Sequence, residues 1–240
     1  MSNIKLNVIL LVKGGRRRGC IKSQRWLFII GAILCKFAAA AADEELSPEC
    51  KYSCNEHDLQ EAIKVPFEDP QLYFDKGDDG FPAFGIKPGS DIKSPYRLFL
   101  PEKLYPEFSI VVNFKLNSTT GGFLFAVVNP SENVVQLGVQ TVPSSANRLN
   151  VSFLYTDVNK YSSSSSNVLA TFSIPWKVRK YYRLGLKVTR KNVQLFGRCL
   201  DPQSVEVIRD PMELLFDSAS ILYIGQAGPL IKGPFDVSKF

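Results

Sequence analysis

The chain has 240 residues and a formal net charge of +6, with 45% hydrophobic and 22% charged residues, the make-up of an ordinary globular chain. Its 16 glycines follow no every-third-residue repeat, which excludes a Gly-X-Y triple helix for this segment itself. The charge is unevenly spread: residues 1–42 carry eight Lys and Arg and no acid, so 43–240 hold 21 basic against 23 acidic residues, a net of −2. That balance argues against a general nucleic-acid binder, and any basic surface on the body must be local.

At the amino end, Arg16, Arg17, Arg18, Lys22 and Arg25 precede an apolar run over 26–35. Lys36, Phe37 and the alanines 38–42 follow, and then Asp43-Glu44-Glu45. A basic region, a short apolar stretch and a small-residue end predict a signal peptide over 1–42, cleaved after Ala42. The alternative is a signal anchor; 26–42 is only 17 residues with a lysine inside, near the short limit for a spanning helix. The mature form is therefore expected to be secreted, with no membrane span. Asn117-Ser118-Thr119 and Asn150-Val151-Ser152 are glycosylation sequons. Asn117 precedes the turn signal Thr120-Gly121-Gly122 and is expected to be exposed, whereas Asn150 falls within an apparent strand at an outward parity.

Of the five cysteines, Cys20 and Cys35 lie in the leader. Cys50, Cys54 and Cys199 remain as disulfide candidates, an odd number. That leaves one disulfide with a free thiol, a partner beyond Phe240, or a link to another chain. Cys50 and Cys54 with His57 lack a fourth ligand nearby in sequence, so no metal or other cofactor is expected.

Residues 43–70 read as a lead-in, and 43–106 contain eight prolines. Short strands are expected near Tyr73 and over 96–100, and Asn55 is a candidate N-cap for a helical turn over 56–63. From Glu107 the period becomes two. Ile110, Val112, Phe114 and Leu116 alternate with Ser109, Val111, Asn113 and Lys115, giving one apolar face. Further strands are expected over 123–128, 134–139, 149–155, 168–174, 182–188, 193–196, 205–208 and 221–224. Asn129-Pro130-Ser131, Pro143-Ser144-Ser145, the serines 162–166, Lys191-Asn192 and Asp201-Pro202 separate them. A second helical turn is expected over 210–216. Short strands without long helical patterns between them predict an all-β, antiparallel sandwich or barrel over 71–240.

Several segments resemble one family in order and spacing. They are Leu104-Tyr105-Pro106-Glu107-Phe108-Ser109, Gly121-Gly122-Phe123-Leu124-Phe125-Ala126-Val127, Leu137-Gly138-Val139 and Phe153-Leu154-Tyr155-Thr156. Leu195-Phe196-Gly197-Arg198-Cys199, Leu222-Tyr223-Ile224-Gly225-Gln226-Ala227-Gly228 and a closing strand over 235–240 continue the series. Together they resemble the thrombospondin-N-terminal-like, laminin-G-related domain at the front of several collagens, and most resemble the versions in types XV and XVIII. The resemblance implies a jelly-roll-like sandwich of 12 to 14 strands in an extracellular matrix protein whose collagenous part follows. It also implies a monomer for this fragment, a trimer where a collagenous region follows, and matrix proteins as partners in an adhesive setting. It further implies that Cys199 pairs with a cysteine just past the closing strand, leaving Cys50 to bond Cys54 or an upstream position to substitute. Members of the family commonly carry Trp where Tyr181 stands and Asp where Arg198 stands; Trp176 is expected to take the core role of the first.

The chemically distinctive stretch is 177–198, with Lys177, Arg179, Lys180, Arg183, Lys187, Arg190, Lys191 and Arg198 and no acid. Parity places Arg183 and Lys187 on one outward face, Lys191-Asn192 reads as a hairpin tip, and Arg198 shares the parity of Gln194. Such clusters bind heparin or heparan sulfate by releasing counterions, and arginine adds two-pronged contacts to sulfate. The bland alternative is a set of solvated charges guarding strand edges in a structural spacer. Catalysis is not expected. His57, in the lead-in, is the one histidine, and no Gly-x-Ser-x-Gly, His-Glu-x-x-His or phosphate-binding glycine loop is present.

Overall fold

The computed structural model describes residues 4–13, 54–78, 80–145, 147–157 and 165–231. The chain divides into two units, Met1–Val12 with Glu56–Phe240, and Lys13–Asn55. The first is an antiparallel β-sandwich. Of the second, only Lys13, Cys54 and Asn55 are described.

The strands in chain order are β1 (Ile4–Lys13), β2 (Cys54–Asp58), β3 (Leu72–Lys76), β4 (Pro82–Ile86), β5 (Lys93–Pro95), β6 (Phe108–Leu116) and β7 (Gly122–Val128). They continue with β8 (Val135–Ser145), β9 (Arg148–Tyr155), β10 (Val168–Pro175), β11 (Tyr181–Val188), β12 (Asn192–Gly197), β13 (Leu200–Glu206) and β14 (Ile221–Ile224). One sheet runs β13-β12-β11-β6-β1-β4-β3 with β2 attached at β1, and the other runs β10-β9-β8-β7-β14-β5. Among the described residues no helix is long and apolar enough to cross a membrane.

The alternation expected of β6 is realised. Phe108, Ile110, Val112, Phe114 and Leu116 are at most 3% exposed, while the residues between them are half-buried. They share one core with Phe125, Leu137, Val139, Phe153 and Phe172 of the opposing sheet. The Phe108 and Phe153 rings lie 6.3 Å apart across that core. β7 departs from alternation because both of its faces are covered. Phe123, Ala126 and Val128 form a second small cluster with Val135, Leu154, Tyr223 and Ala227, against which Ile231 packs. Trp176 is 2% exposed, which fits the core role expected of it, while Tyr181 is half-buried and donates a hydrogen bond to the Lys76 carbonyl (2.8 Å).

Of three local expectations, one is met in part and two are corrected. The helical turn expected over 56–63 is present as a short 3-10 turn, Leu59–Ala62, because β2 takes the residues up to Asp58, and it is capped by Asp58 rather than Asn55. The Asp58 carboxylate accepts from the Gln60 N–H at 2.8 Å. Its pKa is raised, chiefly by burial and against the lowering effect of that hydrogen bond. Residues 210–216 form no helix, because their backbone pairs with 102–104 instead: Leu104 N–H donates to the Leu214 carbonyl (2.7 Å) and Phe216 N–H to that of Glu102 (3.0 Å). The strand expected over 96–100 is a 3-10 turn, Tyr96–Leu98, with Phe99 and Leu100 N–H both donating to the Tyr96 carbonyl. There a single buried ring, Tyr96 against Phe216 at 5.0 Å, replaces an alternating face.

Residues 4–13, which lie within the stretch read as a leader, form β1 in the sheet, paired with β6 from Ile4↔Leu116 to Val12↔Phe108. The rest of that reading (14–42), the serines 162–164, Cys50 and the closing strand over 235–240 lie outside the described residues.

Candidate functional site

The basic stretch covers the hairpin of β11 and β12, its tip and the turns that enter and leave it. Lys177, Arg179 and Lys180 occupy the turn between β10 and β11, Arg183 and Lys187 lie on β11, Arg190 and Lys191 form the β11–β12 tip, and Arg198 sits in the β12–β13 turn. All eight are exposed. Tyr181 to Val188 spans about 24 Å at the ordinary rise of a strand. On β11, Arg183 and Lys187 face out while Leu184, Leu186 and Val188 are buried at 1% or less.

Register decides what surrounds them. Arg183 stands opposite Asn113, and Lys187 opposite Ser109 on one side and Gln194 on the other. These directly opposed positions are neutral. Between the two cations, Gly185 stands opposite Phe196, whose ring lies over the glycine where a Cβ would otherwise project. Leu184 pairs with Gly197, which brings Arg198 to the Arg183 end rather than onto the β12 face its parity suggested.

The turns are held by backbone and side-chain hydrogen bonds. Arg179 N–H donates to the Leu116 carbonyl at 2.8 Å, and Lys177 N–H to the Tyr182 hydroxyl at 2.9 Å. Arg179 has φ +63°, in the left-handed region. Thr189 N–H donates to the Asn192 carbonyl (2.9 Å), closing the tip. Beneath the tip lies Arg209, 2% exposed, which donates through Nη2 to the Thr189 carbonyl at 3.2 Å and to the Pro106 carbonyl. Its guanidinium stacks on Tyr155 and Phe108, at 5.2 and 5.9 Å from their ring centres. Burial, partly offset by Arg209, pushes the Tyr155 hydroxyl up to about 12.

The cations are unequal in their surroundings. Arg190 Nε lies 3.8 Å from the Glu107 carboxylate, and Lys180 lies over the Tyr182 ring at 5.9 Å. Lys115, not singled out by the sequence, sits 3.6 Å from Asp75 and 4.9 Å over the Tyr181 ring, a cation already engaged. Sequence reading also missed Asn113, Ser109, Gln194 and Phe196 as neighbours, since only register places them beside β11.

The other candidate residues are dispersed. Asn117 follows β6 and is half-buried rather than open; Asn150 lies within β9, half-buried, between Val142 and Ser173. Cys199 is exposed, with a free thiol. Of Cys54 only its place at the start of β2 is described, and the His57 ring lies 6.3 Å from that of Tyr105. Among the described residues, no three His, Cys, Asp or Glu side chains are grouped to hold a metal ion. A cavity of about 270 Å³ is lined by Thr119, Pro143, Ser144, Ser145 and Trp176, and none of the eight basic residues lines it.

Over 146 residues, 61% of its length, the chain is 24% identical to the human collagen alpha-1(XVIII) chain. This part of the chain is similar to a segment of a collagen. It covers 8% of the length of that collagen, so it corresponds to a small part of a much longer protein. No family model matches the chain. Among solved structures, a GH43_12 protein retrieved from a capybara gut metagenome is similar at TM-score 0.40 and 8% identity, over 72% of this chain and 34% of that one. That likeness is too distant to bear on function.

Proposed function

We infer that the chain is a secreted, non-catalytic matrix module of the thrombospondin-N-terminal-like type, and that its β11 face holds sulfated glycosaminoglycans such as heparin or heparan sulfate. The observation that carries this is the strip itself: Arg183 and Lys187 project from one face of a strand, opposite neutral residues, with Arg179, Lys180 and Arg198 at one end and Arg190 and Lys191 at the other. Cations spread along about 24 Å suit a linear polyanion better than a small ligand, because each binds a separate charge and releases its own counterion. The body's net charge of −2 makes this clustering meaningful, since bulk charge would not retain it on an anionic matrix. Matrix proteins are the expected further partners, with the domain a monomer by itself and trimeric when a collagenous region follows.

The test compares the full chain with a variant in which Arg179, Lys180, Arg183 and Lys187 are all Ala, on heparin and on a plain cation exchanger. The basic residues of 1–42 are common to both proteins, so the difference reports on the strip alone. Elution from heparin at markedly lower salt for the variant, with little change on the exchanger, is expected. Identical elution from heparin would leave the second reading, a structural spacer, which the Glu107–Arg190 pair and the Lys180–Tyr182 contact favour.

A further inference from the structure

The eight-stranded sheet is completed by a strand that arrives from far away in sequence. β1 pairs with β6 over nine consecutive positions, from Ile4↔Leu116 to Val12↔Phe108, and with β4 at Ile4↔Ile86 and Lys5↔Gly85. Forty residues, 14–53, separate it from β2. Without β1 the sheet falls into β13-β12-β11-β6 and β4-β3, and the inner edge of β6, whose other side is taken by β11, is left with an open ladder.

The register is specific. Ile4, Leu6, Val8, Leu10 and Val12 stand opposite Leu116, Phe114, Val112, Ile110 and Phe108, the five core-facing residues of β6. A slip of one residue would bring Lys5 and Asn7, together with Ile9 and Leu11, to those positions instead, so it is the two polar residues Lys5 and Asn7 that select this register. The same segment lies on the amino side of the basic and apolar run 16–42, so a cut within that run severs the strand from the body whose sheet it completes.

We propose that the gap between β6 and β4 is a strand-acceptor site, occupied in this chain by its own segment 4–13. Its ligand class is an extended peptide, antiparallel to β6, with apolar residues at five alternate positions. Main-chain hydrogen bonds supply affinity and the apolar alternation supplies specificity. The long connection acts as a tether that keeps the strand at high local concentration. After a cut in the connection the segment is a ligand rather than part of the chain, and it exchanges with a like strand in trans.

The test uses the folded full chain with a specific protease site placed at Gly14-Gly15. After cutting, the amino-terminal fragment is expected to co-elute with the body under native conditions at one to one. Excess labelled synthetic peptide of sequence 4–13 then replaces it, whereas a peptide carrying Val8→Lys and Leu10→Lys binds about tenfold more weakly or worse. Release of the fragment on cutting, whether the body then stays soluble or aggregates, overturns the proposal, as does equal binding of the two peptides. In the uncut chain, Val8→Lys is expected to lower the melting temperature well below that of Ile9→Lys; equal effects also count against it.

Discussion

Two residue-level features of the basic hairpin can be separated by substitution. Arg179 carries both a cation and a left-handed backbone, φ +63°. A non-glycine residue there costs about 1 kcal/mol, so Arg179→Gly is expected to raise stability by up to about 1 kcal/mol while weakening heparin binding. Chemical denaturation and heparin elution of the same variant check both signs; a fall in stability would mean that the arginine side chain holds the turn. The buried tyrosines give a pH dependence. The Tyr155 hydroxyl is pushed up to about 12 by burial, and that of Tyr223 is raised by burial and by its hydrogen bond to Glu132. Both favour the protonated form in the folded state, so their contribution is fully present below the unfolded value of about 10 and is lost as pH rises from there through the folded values. Tyrosinate absorbance is expected to show these two ionising after the exposed tyrosines, with unfolding setting in over that alkaline range; unchanged stability from pH 9 to 12 would contradict it.

At the scale of elements, most strands after Glu107 are legible because a strand buried on one face writes a period of two, whereas Pro143-Ser144-Ser145 and Asp201-Pro202, expected as turns, lie within β8 and β13. β6 and β11 show that period: a residue's parity alone separates Phe114 from Lys115 and Leu186 from Lys187. Elements whose shape depends on remote partners were not legible. The 210–216 segment has the composition of a helical turn, yet its hydrogen bonds go to 102–104. Ile4, Leu6 and Val8 alternate with Lys5 and Asn7, but Val8 to Val12 is one unbroken apolar run, and it stands beside basic residues that direct attention to a leader. For the candidate site, the eight cations were legible as a run, whereas their neutral neighbours on β6 and β12 lie in other parts of the chain. Core and face should respond differently. Phe172, 1% exposed in β10, is expected to cost about 3–5 kcal/mol when changed to Ala, whereas Lys187→Ala should change stability by less than about 0.5 kcal/mol. Denaturant midpoints of the two variants check this.

At the scale of the whole molecule, a body of nearly balanced charge concentrates cations on one hairpin. Total charge hides this, because eight of the 29 basic residues lie within 1–42. A sandwich suits such a site: the buried faces of β6 and β11 fix the spacing of Arg183 and Lys187, and Arg209 anchors the far tip through Thr189. Binding through a preformed strip of separate cations must be steeply salt-dependent, with little reorganisation of the protein. The most direct measurement is the affinity of the full chain for heparin as a function of salt, beside the variant with Arg179, Lys180, Arg183 and Lys187 changed to Ala. The logarithm of affinity is predicted to fall linearly with the logarithm of salt concentration, with a slope shallower in the variant by roughly one unit for each sulfate-binding cation removed. Equal slopes and equal affinities in the two proteins would contradict a glycosaminoglycan site on the β11 face.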